Sequence, residues 1–238
     1  MPCFPIPDPK GTSHYTRIPF EFDQELTASR VFVKLPDGFS PLERMVLQTT
    51  GNLQRLLSAY FNVPSRVTII KNELVPCDAG SSGSDDDDDT CRHSSASDLK
   101  SNLDMRFERR ILMHFGDKFA YDADSIVTVN DQKTLGLLTN HEFGLGQVFS
   151  HLRHTPKFAL HAIGRHGTEH GSSFWRDYTL QAPGVVNCFI RETFVEGLFE
   201  PFTGEPSNQG TIWYSPECCC GASTSTTTRR PEAQHTLI

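Results

Sequence analysis

The stretch from residue 105 to residue 115 constrains the fold more than any other part of this sequence. One set of alternate residues is apolar except for Arg109, whereas the other set is mostly charged. A period of two predicts a β-strand with one buried face. Residues 116–118 are short enough for a hairpin, and another apolar segment begins at Phe119. We therefore expect a mainly antiparallel sheet.

Other periodic segments add strands and helices to this sheet. A helix is predicted from Ser40, because a Ser cap, a proline and Glu43 follow the order of a capping box. A second helix, with an apolar stripe from Leu53 to Phe61, ends before Pro64. Short helices are predicted at 133–139 and 145–152. The predicted strands are 67–75, 104–115, 119–129, 157–166, 174–181 and 185–195. This mixture predicts an α+β fold.

The composition divides the chain into one domain and three segments that are unlike a packed core. Residues 1–15 are predicted to be an extended N-terminus, and residues 16–205 a single domain. Within it, residues 78–100 combine Gly, Ser and a run of aspartates, which predicts a solvated acidic insertion. Residues 206–238 are predicted to form a flexible tail rich in Ser, Thr and Cys.

Charge and hydropathy exclude several classes of protein. The formal net charge is −7, of which five charges lie in Asp85–Asp89, so the basic surface of a nucleic-acid-binding protein is absent. No apolar run approaches the ~18 residues of a membrane span. The N-terminus has no pattern of a secretory signal, and seven cysteines are an odd number. We expect a cytoplasmic protein without a disulfide framework.

Two charged residues interrupt apolar strand faces. Arg109 is the charged member of its face. Glu192 is likewise the charged member of the face that it shares with Cys188, Ile190 and Phe194. A buried charge without a partner costs several kcal/mol, so each requires a counter-charge or a ligand. Arg109 and Glu192 could form a structural ion pair, or a bulge could turn one outward. Alternatively, they line an apolar pocket for a small acid.

Four separated segments resemble chorismate pyruvate-lyase and its relatives. The first is 50–57 (TGNLQRLL), and the second is 107–113 (FERRILM) followed by 123–127 (ADSIV). The third is 144–149 (GLGQVF). The fourth combines 163–165 (IGR), 174–178 (FWRDY) and 190–194 (IRETF). The resemblance covers roughly residues 45–200.

This resemblance implies a fold, a site and an activity. The fold is a six-stranded antiparallel sheet with helical flaps over a buried pocket. Arg109 would anchor a carboxylate, and Glu192 would act on a proton or bind a hydroxyl oxygen. The substrate-binding residues implied by the resemblance are Leu53, Leu145, Gly146, Arg165 and Arg176. The activity would be elimination of pyruvate from an enolpyruvyl ether, or a related reaction of a small cyclic acid, with no metal or cofactor.

The sequence also departs from the family pattern. Asp124 and Asp177 stand where the family has arginines, and an insertion spans 166–173. An added acid near the pocket would disfavour a dianion such as chorismate, so the substrate is left open. The alternative function is a non-catalytic binding module, because the same fold resembles the UTRA effector domains of transcription regulators. Residues 1–40 are too short and too rich in proline for a DNA-binding winged helix.

Four further candidates have simple interpretations. The histidines between 151 and 170 lack the spacing of a helical zinc site, and the Asp85–Asp89 run lacks the pattern of a calcium loop. The cysteines at 218–220 fit a flexible tail, with palmitoylation or oxidation as alternatives. Cys188 shares the predicted face of Glu192 and could be a nucleophile. A nearby carboxylate raises the pKa of a thiol, however, which disfavours the reactive thiolate.

Overall fold

The computed structural model describes residues 14–22, 24–27, 30–75, 105–140, 144–205, 207 and 209–216. The strands are β1 (His14–Pro19), β2 (Gln24–Thr27), β3 (Arg30–Val33), β4 (Ser65–Val75), β5 (Met105–Phe115), β6 (Lys118–Val129), β7 (Lys157–His166), β8 (Phe174–Ala182), β9 (Val186–Phe194) and β10 (Gln209–Tyr214). The helices are α1 (Pro41–Leu47), α2 (Leu53–Phe61), α3 (Gln132–Asn140) and α4 (Leu145–Leu152). The acidic insertion predicted at 78–100 and the cysteines at 218–220 lie outside the described residues.

Eight strands form one open sheet in the order β1-β10-β7-β8-β9-β6-β5-β4, and β2 and β3 pair separately. The β1–β10 pair is parallel, and the other pairs of the large sheet are antiparallel. The predicted mainly antiparallel α+β fold is therefore confirmed. The predicted hairpin after residue 115 is also present, because Phe115 pairs with Lys118 and Gly116 has a positive φ of 58°.

The expected number of strands in the sheet was wrong, since the sheet has eight strands and not about six. The two additional strands are β1 and β10, which lie in segments too short to show a clear alternation. β10 pairs with β7, so the sheet continues beyond residue 205, where the sequence predicted a flexible tail. Its neighbours β1 and β7 are distant in the sequence, and such non-local pairing leaves no local signal.

The main core lies between the helices and one face of the sheet, here called the helix-covered face. Val46, Leu57 and Phe149 from the helices are buried with residues such as Phe107 and Val127 from the strands. Burial of this kind supplies most of the stability of an α+β domain. Among the described residues, no helix has the length and apolar character needed to cross a membrane.

Candidate functional site

A cavity opens on the helix-covered face of the sheet, and both Arg109 and Glu192 line it. Strands β5, β6, β8 and β9 form its floor, and the starts of α2 and α4 form its opposite wall. It contains about 620 Å³ of space between atoms, its open mouth included. Much of the wall is apolar, as in sites for small organic molecules. The apolar lining residues are Leu53, Ile111, Met113, Ala123, Leu145, Leu180 and Ile190.

Arg109 lies on the floor of the cavity, in the middle of β5. Alternation along the strand turns its side chain to the same face as Ile111 and Met113, and only 3% of the residue is exposed. Burial lowers the pKa of Arg109, an effect that Cys188 partly offsets. The cross-strand neighbour of Arg109 is Ser125, whose side chain also lines the cavity. A guanidinium in such a place favours the binding of an anion.

Glu192 forms its ion pair with Arg176. One carboxylate oxygen accepts a hydrogen bond from Nε of Arg176 at 2.7 Å, and the other accepts one from the hydroxyl of Tyr178 at 2.9 Å. The counter-charge of Glu192 is thus Arg176 on the neighbouring strand β8, a partner that none of the alternatives left open by the sequence named. The two oxygens are already engaged, which orients the carboxylate at the cavity wall.

Arg176 connects this carboxylate to α1. Its Nη1 donates hydrogen bonds to the carbonyl oxygens of Val46 at 2.9 Å, Leu47 at 3.1 Å and Thr49 at 2.8 Å. The last carbonyls of a helix have no partner within the helix, and a cation there is favourable. Burial alone would lower the pKa of Arg176, but the attraction and hydrogen bond of Glu192 raise it overall. Arg176 therefore remains a cation that holds the end of α1 to the sheet.

Two helices begin at the wall opposite the floor. Gly51 and Leu53 lie at the start of α2, whereas Leu145 and Gly146 open α4. A Cβ atom added to Gly146 would lie 3.0 Å from the carbonyl oxygen of Gly51, so glycine allows the two segments to approach closely. The positive ends of both helix dipoles border the cavity, which also favours a bound anion.

Sequence reasoning missed two tyrosines at this site. Burial and the charge of Glu192 raise the pKa of Tyr121 well above its usual range, although Arg176 acts in the opposite direction. The same two causes raise the pKa of Tyr178 well above its usual range. Both phenols line the cavity as protonated hydrogen-bond donors. The available signal was alternation, because Tyr178 lies two residues after Arg176 and so shares its face.

Arg165, predicted to bind substrate, lies outside the cavity. Its Nη2 contacts the carboxylate of Glu43 at 2.5 Å, and Nη1 donates to the carbonyl and hydroxyl oxygens of Ser172, each at 3.1 Å. Nε donates to the carbonyl oxygen of Gly38 at 3.2 Å. The residue lies on β7, one strand beyond β8. Its contacts attach the start of α1 to the sheet and place Arg165 in a structural network.

Asp124 and Asp177, the two acids expected near the pocket, lie on the opposite face of the sheet. Asp177 pairs with Arg191, with distances of 2.6 and 2.5 Å between its oxygens and the guanidinium nitrogens. Asp124 lies 3.8 Å from Nε of Arg110. Their sequence neighbours line the cavity, so alternation turns both aspartates away from it. The expectation that these two acids lie near the pocket was therefore wrong.

The remaining candidate groups are placed as follows. No three His, Cys, Asp or Glu side chains within the described ranges could hold a metal ion together. His161 stacks on Phe189 and bonds to the hydroxyl of Thr179 at 3.0 Å. Burial raises the pKa of Cys188 to about 12, despite the opposing charge of Arg109, so its thiol is a poor nucleophile.

Comparison with known proteins adds no further assignment. No family model matches the chain, and no curated protein matches it either. The site is therefore defined by its own geometry: a buried cation, an oriented carboxylate and two phenols around an apolar cavity.

Proposed function

We propose that the cavity binds a small cyclic or aromatic carboxylic acid and that the protein converts it by an elimination of the chorismate-lyase kind. The observation that supports this proposal is the location of buried Arg109 on the floor of a largely apolar cavity that two helix starts border. The guanidinium holds the carboxylate of the ligand, and the apolar side chains contact its ring. Motif order supplies the reaction class, since the resemblance to chorismate pyruvate-lyase includes both Arg109 and Glu192.

The remaining polar groups have separate roles in this proposal. In the elimination, a ring carbon loses its proton while the bond between the ring and the ether oxygen of the enolpyruvyl group breaks. The ring becomes aromatic, and the released enolpyruvate takes up a proton to become pyruvate. Glu192 accepts that proton or a hydrogen bond from the ring hydroxyl. Tyr178 and Arg176 hold the carboxylate in place, and Tyr121 donates a hydrogen bond to a ligand oxygen.

One observation favours a second candidate function, a binding module without turnover. Both oxygens of Glu192 already accept hydrogen bonds, from Arg176 and Tyr178. A carboxylate engaged in this way is suited to orient a ligand, whereas a general base must also present a free lone pair within reach of the substrate proton. The two candidates share the acid-binding cavity and differ only in chemistry.

The binding half of the proposal is tested by calorimetry with 4-hydroxybenzoate and its neutral counterpart 4-hydroxybenzamide. Loss of the charge-assisted contacts of Arg109 is worth ~1.5–3 kcal/mol, so Arg109→Ala should weaken 4-hydroxybenzoate binding roughly 10- to 150-fold. Arg110→Ala is the matched control, since Arg110 is the next residue and lies on the opposite face beside Asp122. Equal affinity for both compounds in the parent protein would contradict a carboxylate anchor.

The chemical half is tested by incubating the protein with chorismate and measuring 4-hydroxybenzoate and pyruvate. Equimolar products, with turnover reduced by ~10²-fold in Glu192→Gln, are the expected result for an enzyme with Glu192 as acid or base. Binding of 4-hydroxybenzoate without any product from chorismate would instead support the binding module for that acid.

A further inference from the structure

Strand β4 lies at one end of the large sheet. It has eleven residues and, within the part of the chain that the structure describes, pairs with β5 alone. Two large apolar side chains of β4 are half exposed, Ile70 at 56% and Leu74 at 51%. An edge strand of this length presents a row of backbone donors and acceptors that can pair with another strand.

The charges of β4 are complementary to a second copy of the same strand. Lys71 and Glu73 are two residues apart and share one face, where their charged groups lie 3.4 Å from each other. If two β4 strands pair antiparallel with Asn72 on the two-fold axis, each Lys71 lies opposite Glu73 of the other copy. Opposite charges at such cross-strand positions stabilise a pair of strands.

Neighbouring registers lack this complementarity. An axis at Lys71 places the two lysines opposite each other, and an axis at Glu73 does the same with the two glutamates. Like charges at directly opposed positions destabilise a strand pair, so the charge pattern favours the axis at Asn72.

Two features of β4 are also used by natural proteins to protect a sheet edge, namely a lysine and a β-bulge. Here the ammonium group of Lys71 is 2.9 Å from the carboxylate of Glu108, so its charge is balanced within the chain. The bulge lies between Ile69 and Lys71, near one end of the complementary stretch, and leaves 71–75 in regular register with β5. Pairing about Asn72 therefore aligns residues 71–73 of the two copies, and the bulge sets the limit of regular pairing on either side.

We propose that β4 is a homodimer interface, at which two copies of this chain pair antiparallel about Asn72 and join their sheets into one. The paired stretch is short, so the dimer is weak and depends on protein concentration. The occupant of the edge is a second copy because the charge pattern is self-complementary in one register. This inference is independent of the function proposed for the cavity.

Sedimentation equilibrium of the full chain between about 1 µM and about 500 µM tests the proposal. The parent protein should show a monomer–dimer equilibrium, and Leu74→Lys should weaken it by about tenfold or more. Ile18→Lys is the matched control, because Ile18 is a half-exposed residue of β1 at the opposite edge of the sheet. A parent protein that is monomeric throughout, or a dimer lost in Ile18→Lys and retained in Leu74→Lys, would overturn the proposal.

Charge exchange tests the register itself. Lys71→Glu alone and Glu73→Lys alone each place like charges opposite each other, so each variant should dimerise at least about tenfold more weakly than the parent. A mixture of the two variants should form heterodimers, and the double variant should regain self-association. Far-ultraviolet circular dichroism of each variant verifies folding. If the mixture associates no better than the separate variants, the axis at Asn72 is wrong.

Discussion

Replacing Arg176 by Met should destabilise the protein strongly, because this side chain serves two partners at once. It neutralises buried Glu192 and donates to the carbonyl oxygens of Val46, Leu47 and Thr49. Methionine keeps much of the volume and removes both functions. Breaking a buried ion pair from one side costs about 3–5 kcal/mol, since the remaining charge is uncompensated. We expect a loss in this range in the free energy of unfolding.

A double-mutant cycle separates the ion pair from the helix contacts. Glu192→Gln alone keeps an acceptor for Tyr178 and leaves Arg176 bonded to the carbonyls, so its cost should be smaller, about 2 kcal/mol. The double variant contains no buried charge at this position. Its cost should therefore fall short of the sum of the single variants by about 2–3 kcal/mol. Additive costs would refute the interpretation that loss of the ion pair with Glu192 is the main cause of the destabilisation in Arg176→Met.

Urea denaturation followed by circular dichroism supplies the free energies, with equal m-values as the check that the states compared are the same. Arg110→Met is the control, because the Arg110 side chain is 49% exposed and pairs with Asp122 at 2.8 Å. Such a pair is worth about 0–1 kcal/mol. A loss below about 1 kcal/mol in Arg176→Met, equal to this control, would show that the buried network does not hold α1.

Two further predictions concern other parts of the sheet. Burial and the charge of Arg191 lower the pKa of His166, which contacts Tyr15, to about 4. Because the unfolded chain binds this proton near pH 6.5, the residue lowers stability by up to about 3 kcal/mol as the pH falls from about 6.5 to about 4. In His166→Gln the free energy of unfolding should fall less over that range than in the parent protein. The same dependence on pH in both proteins would contradict this prediction. Gly164→Ala should cost about 1–3 kcal/mol, because the added Cβ would lie 2.2 Å from the ring of Trp175; an unchanged melting temperature would show that the ring can move.

The sequence predicted the local elements better than their arrangement. The six strands β4 to β9 could be identified because each alternates or is bounded by turn residues, and the capping box at Ser40 marked the start of α1. β1 and β10 could not, since each is short and its partners are remote in the chain. Strand order is a property of non-local packing, and no local pattern in this chain encodes it.

The site shows the same division. Alternation predicted that Arg109 and Glu192 each lie on the apolar face of a strand, and both line the cavity on the helix-covered face. The partner of Glu192 was missed because 174–178 carries charges on both faces and Arg176 was assigned to substrate binding. Applying the period of two to β8 would have separated Arg176 from Asp177. Arg191, the partner of Asp177, lies directly opposite it on β9, a register that alternation alone does not give.

The connection between Glu192 and α1 affects how any activity must be interpreted. Arg176 joins the carboxylate to Thr49, just before the segment in which Gly51 and Leu53 line the cavity. A substitution of Arg176 therefore changes the position of the cavity wall, whereas Glu192→Gln changes the proton acceptor and leaves the contact with Thr49 in place. If Glu192 acts as acid or base, Glu192→Gln should lower kcat while Arg176→Met mainly raises KM. Equal losses of kcat in both variants would instead assign Glu192 a positioning role.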